Sequence, residues 1–322
     1  MLAVFAARVS ADDPLSGLEV GERPDPTPPP GWATVTVKAA SLNHHDVWSL
    51  RGIALSADQL PMVLGGDAAG VDEDGNEVVV HSVIGDPDAG GGDETYDPKR
   101  SLLSEKYDGT FAEKVVVPRR NLVPKPPELT FEEAACLPTA WLTAYKMLFS
   151  RSGAQPGDTV LVQGAGGGVA TAAIAMARAA GLRVWATSRS EEKRKRALDL
   201  GAHDTFEAGA RLPGRVDAVI DSVGEATWDH SIKSVRPGGR VVSCGATSGM
   251  TAQTQLARIF FSQVDVVGST MGNRTELMKL ISFLVASGLR PAIDTTMPLA
   301  QAKDGFARMI DGDVFGKVVF TL

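Results

Sequence analysis

Thr159-Val160-Leu161-Val162-Gln163-Gly164-Ala165-Gly166-Gly167-Gly168-Val169-Ala170 is an apolar run that ends in glycines and passes directly into the alanine-rich stretch 171–180. It reads as a buried strand, a tight turn and a helix, because glycine allows the turn and lets backbone N–H groups approach a phosphate at the helix N-terminus. Gly181 closes the helix, and 182–187 reads as a second strand, which completes strand–helix–strand in about 30 residues. The glycines follow G-x-x-G-x-x-A through Gly164, Gly167 and Ala170, with Val169 standing where the stricter G-x-G-x-x-G has its last glycine. A glycine motif alone is weak evidence, and the flanking pattern carries the reading. The stretch is a dinucleotide cradle, with contacts expected from Gly164, Gly166, Gly167, Gly168 and Val169.

The tip of the second strand selects the cofactor. An NAD-preferring fold places Asp or Glu there to bond the ribose hydroxyls, about 20 residues beyond the glycines. This chain has Ser188-Arg189-Ser190, then Lys193, Arg194, Lys195 and Arg196. A guanidinium and hydroxyls would bind a 2′-phosphate that a carboxylate would repel. NADPH is therefore the expected cofactor, held by Ser188, Arg189 and Lys193, while Lys195 and Arg196 read as the solvated face of the next helix.

The totals exclude several classes. The 322 residues are 43% hydrophobic and 22% charged, with a net charge of −7, which describes a globular chain of one large or two medium domains. Such a charge offers no basic surface for nucleic acid, and no stretch approaches the roughly 20 apolar residues of a membrane span. No export signal is legible at the N-terminus, so the cytoplasm is the expected location. Cys136 and Cys244, far apart, make neither a disulfide framework nor a metal-ligand pair.

The first 125 residues carry short β-rich segments punctuated by glycine and proline, led by the alternating Trp32-Ala33-Thr34-Val35-Thr36-Val37-Lys38-Ala39. They predict a β-barrel-like domain with further strands at 77–80 and 111–117. Residues 85–106, rich in Gly, Asp and Pro, read as a long surface loop whose acids are solvated. From Thr130 the pattern turns helical, with Glu133 at the capping-box position, and a second helix is expected over 140–151. Apolar strands then recur at 216–220, 240–244 and 264–268, the pattern of a doubly wound parallel sheet. A helix at 274–287, another near 299–310 and a last strand at 317–322 complete the α/β fold. His81, His203 and His230 show no constellation and read as structural or surface residues.

The order of motifs resembles the medium-chain dehydrogenase/reductase superfamily, in its zinc-independent quinone oxidoreductase and enoyl reductase branch. The resemblance spans almost the whole chain. It is carried by Ser41-Leu42-Asn43-His44-His45-Asp46, Leu64-Gly65-Gly66-Asp67, Gly109-Thr110-Phe111-Ala112-Glu113, Leu142-Thr143-Ala144-Tyr145, Asp221-Ser222-Val223-Gly224, Pro237-Gly238-Gly239, Gly268-Ser269-Thr270 and Gly316-Lys317-Val318. It implies a discontinuous GroES-like β-barrel catalytic domain, 1–125 with 288–322, and a Rossmann nucleotide-binding domain, 126–287. Zinc members of the superfamily hold a catalytic zinc at positions that here correspond to Asn43, Gly66 and Thr139, none a thiolate or imidazole, and the loop 85–106 lacks the cysteines of their structural zinc. No metal is expected.

Without a Lewis acid, conjugated acceptors are the natural substrates, because a quinone or an α,β-unsaturated carbonyl spreads the incoming charge over a phenolate or enolate. Reduction of an enoyl thioester, or a non-catalytic nucleotide-binding role, are the alternatives. The resemblance places the loop 43–48 and the segment 139–143 around the nicotinamide, with Asn43 and Thr143 as polar contacts, Gly245 beside the amide, and Ser269 and Lys317 at further cofactor positions. His45 stands where zinc enzymes keep a proton-relaying hydroxyl, so its imidazole could donate a proton; a loop histidine bonded to backbone is the other reading. Trp48 and Thr139 would wall a pocket for a small-molecule substrate. Pairing of the edge strand at 264–268 implies a homodimer.

Overall fold

The computed structural model describes residues 1–322. The chain opens with β1 (Leu2–Ala6), β2 (Leu18–Glu22), β3 (Trp32–Ser41), α1 (His44–Leu50), β4 (Met62–Val63), β5 (Asp67–Asp72), β6 (Glu77–Val80), β7 (Val83–Ile84), β8 (Ser101–Leu102), β9 (Lys114–Pro118), β10 (Leu122–Pro124) and α2 (Phe131–Ala135). There follow α3 (Leu142–Tyr145), β11 (Thr159–Val162), α4 (Gly168–Ala179), β12 (Arg183–Thr187), α5 (Glu191–Asp199), β13 (Asp204–Phe206), β14 (Val216–Asp221), α6 (Glu225–Ser234), β15 (Val235–Ser243), α7 (Leu256–Ser262) and β16 (Asp265–Gly268). The tail adds α8 (Arg274–Ser287), β17 (Ile293–Pro298), α9 (Ala302–Asp311) and β18 (Lys317–Thr321).

Two compact units result: Met1–Ala140 with Gly272–Ala286 and Ile293–Leu322, and Trp141–Met271 with Ser287–Ala292. The chain thus leaves the first unit at Ala140, later than the composition change near 125 suggests, because α2 packs on β3, β5 and β18. The Thr130 hydroxyl accepts the N–H of Glu133, whose carboxylate accepts the N–H of Thr130, so α2 starts where the capping pattern places it.

In the first unit a seven-stranded sheet runs β10-β6-β5-β3-β18-β17, with β9 also paired to β3. Its strands alternate faces, so Val35, Val37, Val78, Val80, Val115 and Val117 enter one core with Phe111, Phe306 and Phe320. The Phe111 ring meets the Phe320 ring edge-on at 5.1 Å. The C-terminal strand β18 pairs antiparallel with β3, Val319 opposite Ser41. This is the GroES-like unit.

The second unit holds a six-stranded sheet in the order β13-β12-β11-β14-β15-β16, every pair parallel. Strand order reverses between β11 and β14, and in such a doubly wound sheet the crevice at the reversal is where a dinucleotide binds. The glycine turn leaves β11 at that point. Strand β15 begins before the Pro237-Gly238-Gly239 turn expected to precede it, and the extra residues appear as a register shift against β14.

Three local expectations are corrected. The segment 43–48 is not a loop: Asn43 starts α1, and the Asn43 N–H is accepted by Asp46 Oδ2 at 2.8 Å, the carboxylate half of a capping box. Residues 140–151 are not a plain α-helix: α3 is flanked by π-helical turns at Leu137–Trp141 and Lys146–Arg151. Residues 85–106 are not a solvated loop, since β8 pairs with β7 and the carboxylates of Glu94 and Asp97 are buried. His81 donates from Nε2 to Glu94 Oε1 at 3.0 Å, and the backbone N–H of Arg274 at the start of α8 donates to the same oxygen at 2.6 Å. Burial pushes the Glu94 carboxyl up, yet these donors outweigh it and hold the group down at about 2. Its ionised form therefore contributes stability fully above about pH 4.5, lost as pH falls through about 2.

Candidate functional site

At the end of β11, Gln163 is fully buried and ties the strand ends together. Its Oε1 accepts the Thr187 hydroxyl of β12 at 2.6 Å, and its Nε2 donates to the Ser231 hydroxyl of α6 at 3.0 Å. Ser231 in turn donates to Asp221 Oδ2 at the end of β14, 2.6 Å away, as does the Thr227 hydroxyl at 2.8 Å. Asp221 Oδ1 accepts the N–H groups of Val223 and Gly224. Three strand termini are thereby locked around the turn. His230, read from sequence as a structural or surface residue, joins them by accepting a bond from Gln163 at Nδ1.

The glycines of the turn differ in what demands them. Gly164 has φ +73°, and a Cβ there would lie 2.5 Å from Val223 Cγ2; Gly166 has φ +136°. Both are required by the backbone. Gly167, with φ −75°, is the N-cap of α4, has no side-chain cap, and a Cβ on it would meet nothing within 4 Å. The fold tolerates a side chain there, so the open space at the helix N-terminus is what the glycine preserves. Gly168 and Val169 open α4 and present the first unpaired N–H groups of that helix. A dinucleotide pyrophosphate fits this cradle.

Around it, Lys193 packs its side chain against Gly166, and Arg189, just beyond the end of β12, is exposed. Ser188 is largely consumed locally: its carbonyl accepts Arg194 Nη1 at 2.7 Å and its hydroxyl accepts the N–H of Ser190. Gly245 is a glycine by necessity, since a Cβ would lie 2.6 Å from the Ser222 carbonyl. Ser269 donates its N–H to the Ser243 carbonyl, while its hydroxyl is buried with no protein partner. In the same unit the Thr143 hydroxyl lies 4.0 Å from the Met271 sulfur, and Met271 holds a left-handed backbone with φ +47°.

The first unit contains a buried ionic network that sequence reading missed. Lys317 Nζ donates to the Leu42 carbonyl at 2.8 Å, to Asn43 Oδ1 at 2.6 Å and lies 3.4 Å from Asp67 Oδ2. Asp67 Oδ2 also accepts Asn43 Nδ2 at 2.8 Å and the Ser41 hydroxyl at 2.9 Å. Two expectations are corrected here. The three donors of Lys317 are spent inside the unit, leaving none for the cofactor. Asn43 gives both amide N–H groups to Asp67 and the Ser41 carbonyl, so it positions α1 instead of offering a free amide. Burial pushes the Asp46 carboxyl up to about 6, although it accepts the N–H groups of Asn43 and Gly65.

His45, on α1, donates from Nε2 to Glu105 Oε1 at 3.1 Å. Burial lowers its pKa, but the Glu105 bond and the carboxylates of Asp46 and Asp67 outweigh it and the net shift is upward. Trp48 lies half-buried on the same helix. Thr139 and Gly66 are neighbours, with a Cβ on Gly66 falling 3.6 Å from the Thr139 hydroxyl. No three His, Cys, Asp or Glu side chains converge to hold a metal ion, and the donor set of Asn43, Gly66 and Thr139 does not fit zinc. Burial pushes the thiols of Cys136 and Cys244 up to about 12, so neither is a thiolate at neutral pH.

A GroES-like unit joined to a doubly wound sheet with a dinucleotide cradle defines an oxidoreductase of the nicotinamide class. Residues 29–127 match the alcohol dehydrogenase GroES-like domain, and 168–286 match the zinc-binding dehydrogenase family. An acryloyl-coenzyme A reductase of Metallosphaera sedula is 31% identical over 95% of this chain and 96% of its own. A crotonyl-CoA reductase of Streptomyces collinus is 27% identical over 92% of this chain and 80% of its own. A solved NAD-dependent alcohol dehydrogenase is 36% identical, each chain covering all of the other, with a TM-score of 0.91. The chain belongs to the medium-chain dehydrogenase/reductase superfamily. No helix is long and apolar enough to cross a membrane.

Proposed function

We propose that this chain is an NADPH-dependent reductase of α,β-unsaturated carbonyl compounds that works without zinc, and that an enoyl thioester is its substrate class. The observation that carries the reading is the donor set Asn43, Gly66 and Thr139, which offers no zinc ligand. With no Lewis acid to stabilise an alkoxide, a conjugated acceptor is the easier substrate, since its charge spreads into the carbonyl. The relatives named as acryloyl-CoA and crotonyl-CoA reductases favour a thioester over a quinone.

The nicotinamide cofactor supplies the hydride when bound. Gly164, Gly166, Gly167, Gly168 and Val169 would hold its pyrophosphate on the N–H groups of α4. Arg189 and Lys193 would bind the 2′-phosphate, with Ser188 in support, and Gly245 and Ser269 would face the nicotinamide. His45 would supply the proton, Thr143 a hydroxyl for the developing enolate oxygen, and Trp48 and Thr139 the pocket wall.

The test is turnover of crotonyl-CoA, a long-chain enone, 1,4-benzoquinone and a simple aldehyde by metal-free protein with NADPH or NADH. Crotonyl-CoA with NADPH is expected to give the highest kcat/KM, and Arg189→Ala to raise the KM for NADPH at least about tenfold while changing that for NADH little. A preference for the aldehyde, or equal use of both cofactors, would refute the assignment; nucleotide binding without any turnover would make the protein non-catalytic.

A homodimer is part of this reading. Strand β16 is the unpaired edge of its sheet, and Val266 on it, with Phe260 and the 80% exposed Phe261 of α7, offers an apolar face to a second copy. Sedimentation should give twice the chain mass of 33.8 kDa; a single-chain mass would rule the dimer out.

A further inference from the structure

Glu105 lies in the segment 85–106, to which the sequence assigns no role. Its carboxylate accepts His45 Nε2–H through Oε1, while Oε2 accepts the backbone N–H of Leu102 at 2.9 Å and the Ser101 hydroxyl at 3.4 Å. Gln59 clamps its backbone by donating Nε2 to the Glu105 carbonyl at 2.7 Å. The residue before it, Ser104, is held at φ +68°, a left-handed backbone uncommon for any residue with a side chain. A strained turn, two side-chain bonds and a backbone bond thus fix one carboxylate against one imidazole, whose side chain is still 20% exposed.

We propose that Glu105 is a positioning residue for His45: its carboxylate takes the Nε2–H bond, which leaves Nδ1 as the ring nitrogen that hands a proton to the substrate. The inference rests on the reading of this chain as a reductase of a conjugated thioester. A carboxylate can only accept, so Nε2 must carry a proton in both charge states and only the Nδ1 proton is exchangeable. In the step itself the β-carbon of the substrate accepts a hydride, and the π pair moves to the α-carbon as an enolate. The Nδ1–H bond then breaks and the α-carbon–hydrogen bond forms. The two electrons that reduce the alkene would come from a bound dihydronicotinamide, and the imidazole would end neutral, to be reprotonated from water.

The charges around the ring agree with that role. Burial holds the Glu105 carboxyl up, but the bonds from His45 and Leu102 outweigh it and keep the group below the usual carboxylate range. Asp46 and Asp67 are the other carboxylates acting on His45, and Asp67 is already paired with Lys317. The Lys106 ammonium next in sequence stands over the Tyr107 ring. Three carboxylates therefore favour the imidazolium, the form able to donate.

The experiment follows His45 by NMR in protein labelled at the imidazole carbons, its signal assigned by loss in His45→Gln, and measures pH profiles of kcat and KM with crotonyl-CoA and NADPH. In Glu105→Gln, His45 is expected to titrate at lower pH, and the alkaline limb of kcat to move with it. At about pH 8 the variant should lose about tenfold or more in kcat with KM held within about twofold, and the loss should shrink towards about pH 6. Glu105→Asp, which keeps the carboxylate, should recover most of the rate. An unmoved His45 titration, or a kcat that falls by one factor at every pH, overturns the proposal. Full turnover by His45→Gln overturns it too, by removing the proton donor. If the wild type reduces no conjugated thioester, the reading of the reaction fails instead, and the NMR comparison alone decides whether Glu105 governs His45.

Discussion

Lys317→Met is expected to lower the unfolding free energy by about 3–5 kcal/mol, seen as a lower denaturant midpoint with an unchanged m-value. The ammonium of Lys317 is 2% exposed and its partner Asp67 is fully buried, with Oδ1 lacking any partner. An ion pair in such a place contributes little net stability against an apolar pair, because both charges are desolvated. Removing one member is a different matter. Methionine fills much of the lysine stem's volume but leaves the Asp67 carboxylate without its counter-charge, and the Leu42 carbonyl and Asn43 Oδ1 lose a donor. The double variant Lys317→Met with Asp67→Asn removes both charges and should be less destabilised than the single one, with a coupling of at least about 1 kcal/mol. A single variant within about 0.5 kcal/mol of wild type would mean that water already solvates the pair. NADPH affinity should stay within about threefold in the single variant, because the lysine's donors all point inward.

That network marks the boundary of what the sequence discloses. The doubly wound sheet was legible because strands buried on both faces are written as continuous apolar runs, such as Val160-Leu161-Val162 and Ala218-Val219-Ile220, and because the glycine turn follows the first of them. Helix α1 was not legible. Its signal is an Asn-x-x-Asp cap on a seven-residue helix, and so short a segment shows no clear apolar period. In 85–106 the composition of a solvated loop is the same as that of a loop whose acids bond backbone N–H groups: Asp97 accepts those of Asp86 and Lys99, and Asp93 that of Thr95. Glu94 finds Arg274, and Asp67 finds Lys317, across 180 and 250 residues of chain. No local pattern encodes a partner at that distance, so the motifs alone assign Lys317 to the cofactor and give Glu105 no role.

Gly167→Ala is expected to leave stability within about 0.5 kcal/mol of wild type and yet weaken nucleotide binding at least about tenfold. The two effects separate because the residue's conformation is ordinary and its surroundings are empty. At φ −75° and ψ 162° alanine is allowed, and its Cβ would find no atom within 4 Å. Losing a glycine N-cap and reducing the freedom of the unfolded chain are opposing effects of a few tenths of a kcal/mol each. The added methyl group would instead occupy the approach to the first N–H groups of α4, where a pyrophosphate has to come within hydrogen-bond distance. Gly164→Ala provides the contrast. With φ +73° and Val223 Cγ2 only 2.5 Å from the new Cβ, that change strains the folded backbone and should cost about 1–3 kcal/mol of stability. Thermal unfolding alongside titration of NADPH by intrinsic fluorescence distinguishes the two. Equal loss of stability in both variants would show that Gly167 serves the turn and not the ligand, and unchanged NADPH affinity in Gly167→Ala would remove the helix N-terminus from the cofactor site.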